Sequence, residues 1–219
     1  MTAPTPQARY ASSFDGATPQ ETERASKALA FALDVRKLEI ELYWTRAAYF
    51  WAFTGAAFGA YITVLGAEKI ANRPQALLLV CCLGLVFSVA WYFVNRASKY
   101  WQLNWELHVD LLEDQIMGPI YKTTLHDRPS FMTLHAAYPF SVSKINQLLS
   151  LFVVFVFAVL LAETLRMHYQ ITRNWEFFPT ACIVVTFAAI LAFWKFGRVG
   201  GFTTAVVAKV RKTEVTEFE

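Results

Sequence analysis

Long parts of this 219-residue sequence lack charged residues altogether. Four such stretches occur, each close to the roughly 20 residues that a helix needs to cross a bilayer. They are residues 47–67, 75–94, 145–162 and 177–194. With 56% hydrophobic residues, the chain is too apolar for an ordinary soluble domain. None of the four stretches contains His either, which argues against a proton relay or a voltage sensor.

These absences predict an all-α, multi-pass membrane protein with four transmembrane helices and long cytoplasmic helical extensions. The polar N-terminus is predicted to be a disordered tail, because it has too little apolar content to fold alone. The predicted parts are a tail (1–20), a four-span membrane domain (21–196) with cytoplasmic helices 21–46 and 95–117 and a cytoplasmic loop 118–144, and a C-terminal cytoplasmic tail (197–219).

The distribution of basic residues predicts an orientation. Sixteen of the 20 Lys and Arg residues lie before the first span, between spans two and three, or after span four, and the other four lie in the two short connections. By the positive-inside rule, both termini and the central connection are cytoplasmic. Topology therefore explains the basic residues without nucleic-acid binding.

Signatures of catalysis are also missing. The sequence has no Walker motif, no Gly-x-Ser-x-Gly, no zinc signature and no dinucleotide fingerprint. Its three cysteines, Cys81, Cys82 and Cys182, all fall inside predicted spans, where small apolar packing explains them. We therefore expect no enzymatic activity, no catalytic or metal-binding residue and no cofactor.

A group of acids beside His108 is the one stretch that permits a chemical interpretation. Carboxylates four residues apart on a helix, with an imidazole nearby, can bind a divalent cation or act in acid and base catalysis. No second ligand motif completes such a site, so ion pairing with Arg36, Lys37 and Arg46 is the simpler expectation. The acids are Glu106, Asp110, Glu113 and Asp114.

Apolar residues recur three and four positions apart in both predicted cytoplasmic helices, which is the pattern of a helix packed on a partner. We interpret these two stripes as an oligomer interface. An amphipathic helix lying on the lipid surface is the alternative for the first of them. The predicted interface residues are Phe31, Val35, Leu38, Leu42, Trp101, Trp105, Val109, Leu112 and Ile116.

Small residues four positions apart in the first span predict a smooth face for close helix packing. The partner helix could belong to the same subunit or to a neighbouring one, and the spacing leaves both open. The residues are Ala52, Gly55, Ala56, Gly59 and Ala60.

Two segments resemble a known family. YWQLNWELHVDLLEDQIMGPIYK at 100–122 and PFSVSKINQLLS at 139–150 are similar to the RipA-type family of bacterial inner-membrane proteins, which is described as octameric. The likeness extends over about residues 30–165. It implies an eightfold homo-oligomer in a bacterial cytoplasmic membrane and transfers no active residue. A weaker resemblance is to small membrane effectors of bacterial defence systems.

The expected function is that of a non-enzymatic membrane scaffold or partner-binding assembly. Its expected partners are other copies of itself, the lipid bilayer and an unidentified cytoplasmic protein, but no nucleic acid. The alternative is a pore or channel-like effector formed by a ring of subunits, which uncharged spans permit although they offer no selectivity ring.

Overall fold

Four α-helices make up the described part of the protein. The computed structural model describes residues 19–67, 70, 72–125, 135, 138–172 and 176–198. Among these residues there is no strand, and all four helices are long and apolar enough to cross a membrane. The predicted all-α, four-span fold is confirmed. The helices are α1 (Pro19–Gly66), α2 (Arg73–Ile116), α3 (Val142–Thr172) and α4 (Phe177–Phe196).

Parts of the sequence-based division fall outside the described residues. These are residues 1–18 of the predicted N-terminal tail, most of the predicted loop between 126 and 137, and the C-terminal tail from residue 199 onward. The third helix is longer than its predicted span, since α3 continues ten residues past position 162 to Thr172.

The described chain forms two compact units, to which α1 and α2 both contribute. Unit 1 contains α1 up to Val35 and the segment Trp105–Thr124. Unit 2 contains residues 36–104 together with α3 and α4.

In unit 2, α1 and α2 run antiparallel, as the short connection between them predicts. Arg46 near the start of this part of α1 contacts Ser98, whereas Phe53 stacks on Phe87, with ring centroids 5.3 Å apart. Partners therefore move backward along α2 as α1 advances. At the end of the hairpin, the Arg73 guanidinium donates to the carbonyl oxygen of Leu65.

Helix α3 packs on this hairpin through an apolar core. Phe157 is fully buried and stacks on Phe58 of α1 with ring centroids 4.4 Å apart. It also fills the space beside Gly84 of α2, where even a methyl group would overlap its ring. The start of α3 is capped as helices commonly are, because the Lys144 N–H donates to the Ser141 hydroxyl over 3.4 Å.

Helix α4 makes fewer buried contacts than the other helices of unit 2. Only Pro179 and Thr186 are buried in it, and Cys182 and Ile190 pack against the edge of the apolar core. At its start, the Glu176 carboxylate accepts a hydrogen bond from Gln75 of α2 and lies 3.9 Å from His168 Nε2 of α3. These contacts bring the beginnings of α2 and α4 to the end of α3.

Unit 1 has a separate, smaller core. Leu29 and Ala32 of α1 are buried against Val109 and Leu112 of α2. The turn after α2 covers one side of this core through Tyr121.

Candidate functional site

A line of buried residues on α2 changes from apolar to polar in unit 2. Trp91, Asn95, Ser98 and Gln102 are all buried and follow one another at spacings of four, three and four. This is the seam of a helix packed along a partner helix. The predicted stripe contained Trp101, but Gln102 occupies the buried position and Trp101 is half-buried.

The polar part of this seam meets α1 and α3 in a set of hydrogen bonds that we call the polar layer, consisting of Tyr43, Asn95, Asn146 and Ser150. The amide nitrogen of Asn146 donates to the Tyr43 hydroxyl over 2.7 Å and lies 3.2 Å from the amide oxygen of Asn95. The Asn95 amide nitrogen donates to the Ser150 hydroxyl over 3.4 Å. All four side chains are buried, so these hydrogen bonds connect α1, α2 and α3 in the interior of unit 2.

Next to the polar layer, a half-buried arginine connects α1 to α2. Arg46 donates to the Ser98 hydroxyl over 3.0 Å, and its guanidinium lies 3.7 Å from the Glu39 carboxylate. Gln102 donates to the backbone carbonyl of Glu39 over 3.4 Å. The charge of Arg46 is thus compensated within the same subunit.

Unit 1 carries a group of rings that we call the aromatic cluster, made of Phe31, Trp105 and His108. Phe31 packs edge-on against Trp105 with centroids 6.0 Å apart, and Trp105 lies 5.2 Å from the His108 ring. Phe31 is 61% exposed. Burial lowers the pKa of His108 below its ordinary value, because the charged imidazolium would lose hydration there. A large, exposed apolar ring therefore packs against Trp105, which in turn lies against the His108 ring.

The acids of α2 mainly organise the turn that follows the helix. Glu113 is fully buried, and its carboxylate accepts the backbone N–H groups of Tyr121 and Lys122 over 2.7 and 3.2 Å. Lys122 in turn pairs with Asp114 at 2.6 Å. The expectation that these acids pair with the basic residues of α1 is therefore wrong for Glu113 and Asp114. Gly118 allows the turn, since its φ of 76° is in the left-handed region.

No group of three or more metal-ligating side chains of the kind His, Cys, Asp or Glu comes together in the described ranges. The arrangement of Glu113 supports a structural role, because both of its oxygens are used by backbone donors. What the geometry provides is a set of packing and interaction surfaces.

The predicted interface residues divide by burial within one subunit. Val109 and Leu112 are buried against α1, so their packing is accounted for inside unit 1. Phe31 and Leu38 are exposed. Whether these stripes contact another subunit stays a prediction. The half-buried members are Val35, Leu42, Trp101, Trp105 and Ile116.

The small residues of the first span face outward. Ala52, Gly55, Ala56, Gly59 and Ala60 are all exposed, and a Cβ atom placed at Gly55 or Gly59 would have no atom within 4 Å. In the described residues no other helix of the subunit lies within 4 Å of a Cβ at Gly55 or Gly59, and packing of this face on a neighbouring subunit stays a prediction. Close helix packing inside the subunit is instead allowed by Gly84 of α2, which the sequence pattern did not single out.

Sequence reasoning missed the polar layer as well, although a signal was present. Asn95 of this layer, with Ser98 and Gln102 beside it on α2, shares the seven-residue period of Trp105, Val109 and Leu112, but a search for apolar periodicity passes over polar members of the same line. Asn146 and Ser150 fall at a four-residue spacing at the start of the third span.

Four helices that can each span a membrane, joined inside the subunit by aromatic and polar contacts and carrying exposed apolar and small residues outside, define a multi-pass membrane protein. The model of the Octameric membrane protein family (8xMP) matches residues 26–166, and the chain belongs to this family. No curated protein and no solved structure matches the chain. Family membership confirms the expected octameric membrane family and supports a homo-oligomer.

Proposed function

We propose that the protein is a non-enzymatic scaffold of a bacterial inner membrane, in which copies of the chain form a ring and present unit 1 to the cytoplasm for protein contacts. The orientation rests on the sixteen basic residues assigned to one side by the positive-inside rule. The ring rests on membership of a family described as octameric.

The observation that carries the scaffold proposal is the aromatic cluster. Exposed apolar rings cost free energy in water. Here the exposed Phe31 ring packs edge-on against Trp105, which also packs on the unit 1 core. Protein interfaces concentrate their binding energy in such rigid aromatic residues. The cluster therefore suits contact with a protein surface, and family membership supports another copy of the chain as that partner.

A pore formed by a ring of subunits is less well supported. The buried polar side chains described in unit 2 contact one another inside a single subunit, so they are not available to line a channel between subunits. Liposomes that contain the protein and release ions or a small dye would favour the pore instead.

The test measures oligomer mass for the variant Phe31→Ala in a mild detergent by native mass spectrometry. Because Phe31 is largely exposed, its removal leaves the unit 1 core intact, and we expect a loosened oligomer with smaller species present. Trp105→Ala should have a larger effect, since it also removes support for Phe31.

The matched control is Ile120→Ala, which removes an apolar side chain that is 70% exposed elsewhere in unit 1. It should leave the mass unchanged. A wild-type protein that is a monomer under these conditions would end the scaffold proposal, and an unchanged mass for Phe31→Ala would show that the cluster does not contact another subunit.

A further inference from the structure

One face of α1 carries only small residues over the length of its predicted span. Successive residues of a helix are rotated by about 100°, which places six exposed positions within a sector of about 80°. We call this face the α1 groove. Its floor is formed by Ala48, Ala52, Gly55, Gly59, Thr63 and Gly66.

The α1 groove is open in the single subunit. Nothing lies within 4 Å of a Cβ atom built at Gly55, Gly59 or Gly66. The exposed side chains of Trp51 and Ile62 stand on one side of the floor in the helical projection, and Phe53 stands on the other. From residue 48 to 66 the groove is about 27 Å long, close to the thickness of a hydrocarbon core.

The composition of this face does not suit lipid. The most apolar stretch of α1 is the least hydrophobic of the four helices, yet only 17% of its residues are buried inside the subunit. The exposed faces of α3 and α4 carry large apolar residues instead, such as Phe152 and Phe155 on α3 and Phe187 on α4. Small residues in a span allow two helix backbones to come close, and they offer lipid tails little to contact.

The family match indicates which molecule contacts the α1 groove, namely another copy of the chain. Residues 26–166 match a family described as octameric, so the matched segment includes the whole groove and excludes α4. A ring of more than two subunits joined by rotation uses two different faces of each subunit at every contact. A face that is open, floored by small residues and inside the matched segment fits one of these two roles.

We infer that the α1 groove receives a transmembrane helix of a neighbouring copy of this chain and is a subunit contact of the oligomer within the membrane. The inference rests on the homo-oligomer of the proposed function and adds the membrane surface that holds it together. It is separate from the aromatic cluster, because the groove lies in unit 2 and the cluster in unit 1.

The test compares side chains of increasing size at one groove position. Apart from the neighbouring backbone of α1, no atom lies within 4 Å of a Cβ added at Gly59, so the larger side chain of Gly59→Leu extends into space that the subunit leaves open. We expect the octamer fraction to fall at least about tenfold, a change that needs only about 1.4 kcal/mol. Gly59→Ala should retain most of the octamer, since a methyl group raises the floor only slightly.

The matched control is Ala188→Leu, the same enlargement at an exposed position of α4 outside the groove, and it should leave the octamer intact. Circular dichroism and native mass spectrometry on the full chain report folding and assembly for every variant. If the wild-type protein is octameric and both Gly55→Leu and Gly59→Leu fold and remain octameric, the inference is overturned while the scaffold proposal stands.

A second measurement does not depend on the enlarged variants. In a protein whose three cysteines are replaced by Ala, a nitroxide attached to Gly59→Cys reports access of dissolved oxygen from the lipid phase. We expect low access at this position and high access at Ala188→Cys. Equal, high access at both positions in liposomes would place the groove against lipid and overturn the inference.

Discussion

The packed face of α2 is apolar in unit 1 and, over residues 95–102, polar in unit 2. In unit 1, α1 and α2 meet through Leu29, Ala32, Val109 and Leu112. In unit 2, the same seam of α2 continues with Asn95, Ser98 and Gln102, which form hydrogen bonds to α1 and α3.

The polar residues of this face directly follow the predicted second span, residues 75–94, so they fall at its predicted cytoplasmic end and not among lipid tails. Within the predicted spans, unit 2 has an apolar core that includes Leu78 and Phe157. Close contact is what holds helices together there, since lipid tails are as apolar as leucine and apolar burial gives no driving force between helices. The comparison teaches that periodicity identifies the packed face of a long helix, while the chemistry of that face depends on what surrounds it.

The largest effect should come from removing the carboxylate that closes unit 1. Glu113→Ala leaves the N–H groups of Tyr121 and Lys122 without their charged acceptor, at an expected cost of about 3 kcal/mol to unit 1. Hydrogen exchange of the backbone amides of residues 105–116 measures this locally. Asp114→Ala, which removes the exposed partner of Lys122, should cost less than about 1 kcal/mol. Equal effects of the two changes would contradict the structural role of Glu113.

Gly84→Ala tests close packing in unit 2. Its methyl group would overlap the Phe157 ring, so we expect destabilisation by about 2 kcal/mol in detergent unfolding, despite the higher helix propensity of Ala. Gly55→Ala has open space around it in the subunit and serves as the control. It should be neutral or stabilise by up to about 1 kcal/mol, and similar behaviour of both variants would refute the assigned packing.

Each hydrogen bond of the polar layer should contribute less to the free energy of unfolding than the steric overlap in Gly84→Ala removes from it. Asn146→Leu removes the donor to Tyr43, with an expected loss of about 1 kcal/mol, as is typical for the net contribution of one hydrogen bond. A double-mutant cycle with Asn95→Leu isolates the coupling between the two amides. A coupling of zero would show that these side chains stabilise the bundle independently.

The smallest effect concerns pH and distinguishes unit 1 from unit 2. Burial lowers the pKa of His108 in the folded state, so the unfolded state binds the proton more readily. Unit 1 should therefore keep its stability above the ordinary pKa of about 6.5 and lose it as pH falls through the lowered folded value. Hydrogen exchange at several pH values measures this, and the loss should be smaller in His108→Gln.

The fold could be predicted from sequence because its signals are long and local. Four uncharged stretches predicted four membrane helices, and the structure contains four helices long and apolar enough to cross a membrane. The polar layer depends on side chains about fifty and one hundred residues apart, as for Asn95 and Tyr43 with Asn146, and no local pattern pairs them. Glu113 was assigned a different partner because its true one is a turn whose geometry depends on Gly118.

The position of Asn146 in the polar layer also constrains how the protein is made. Its two partners, Tyr43 and Asn95, lie earlier in the chain and on different helices. Both acceptors of the Asn146 amide are therefore synthesised before Asn146 itself, and a hairpin of α1 and α2 would present them together when α3 is inserted. The order of the helices along the chain thus favours pairing of α1 with α2 before α3 joins them.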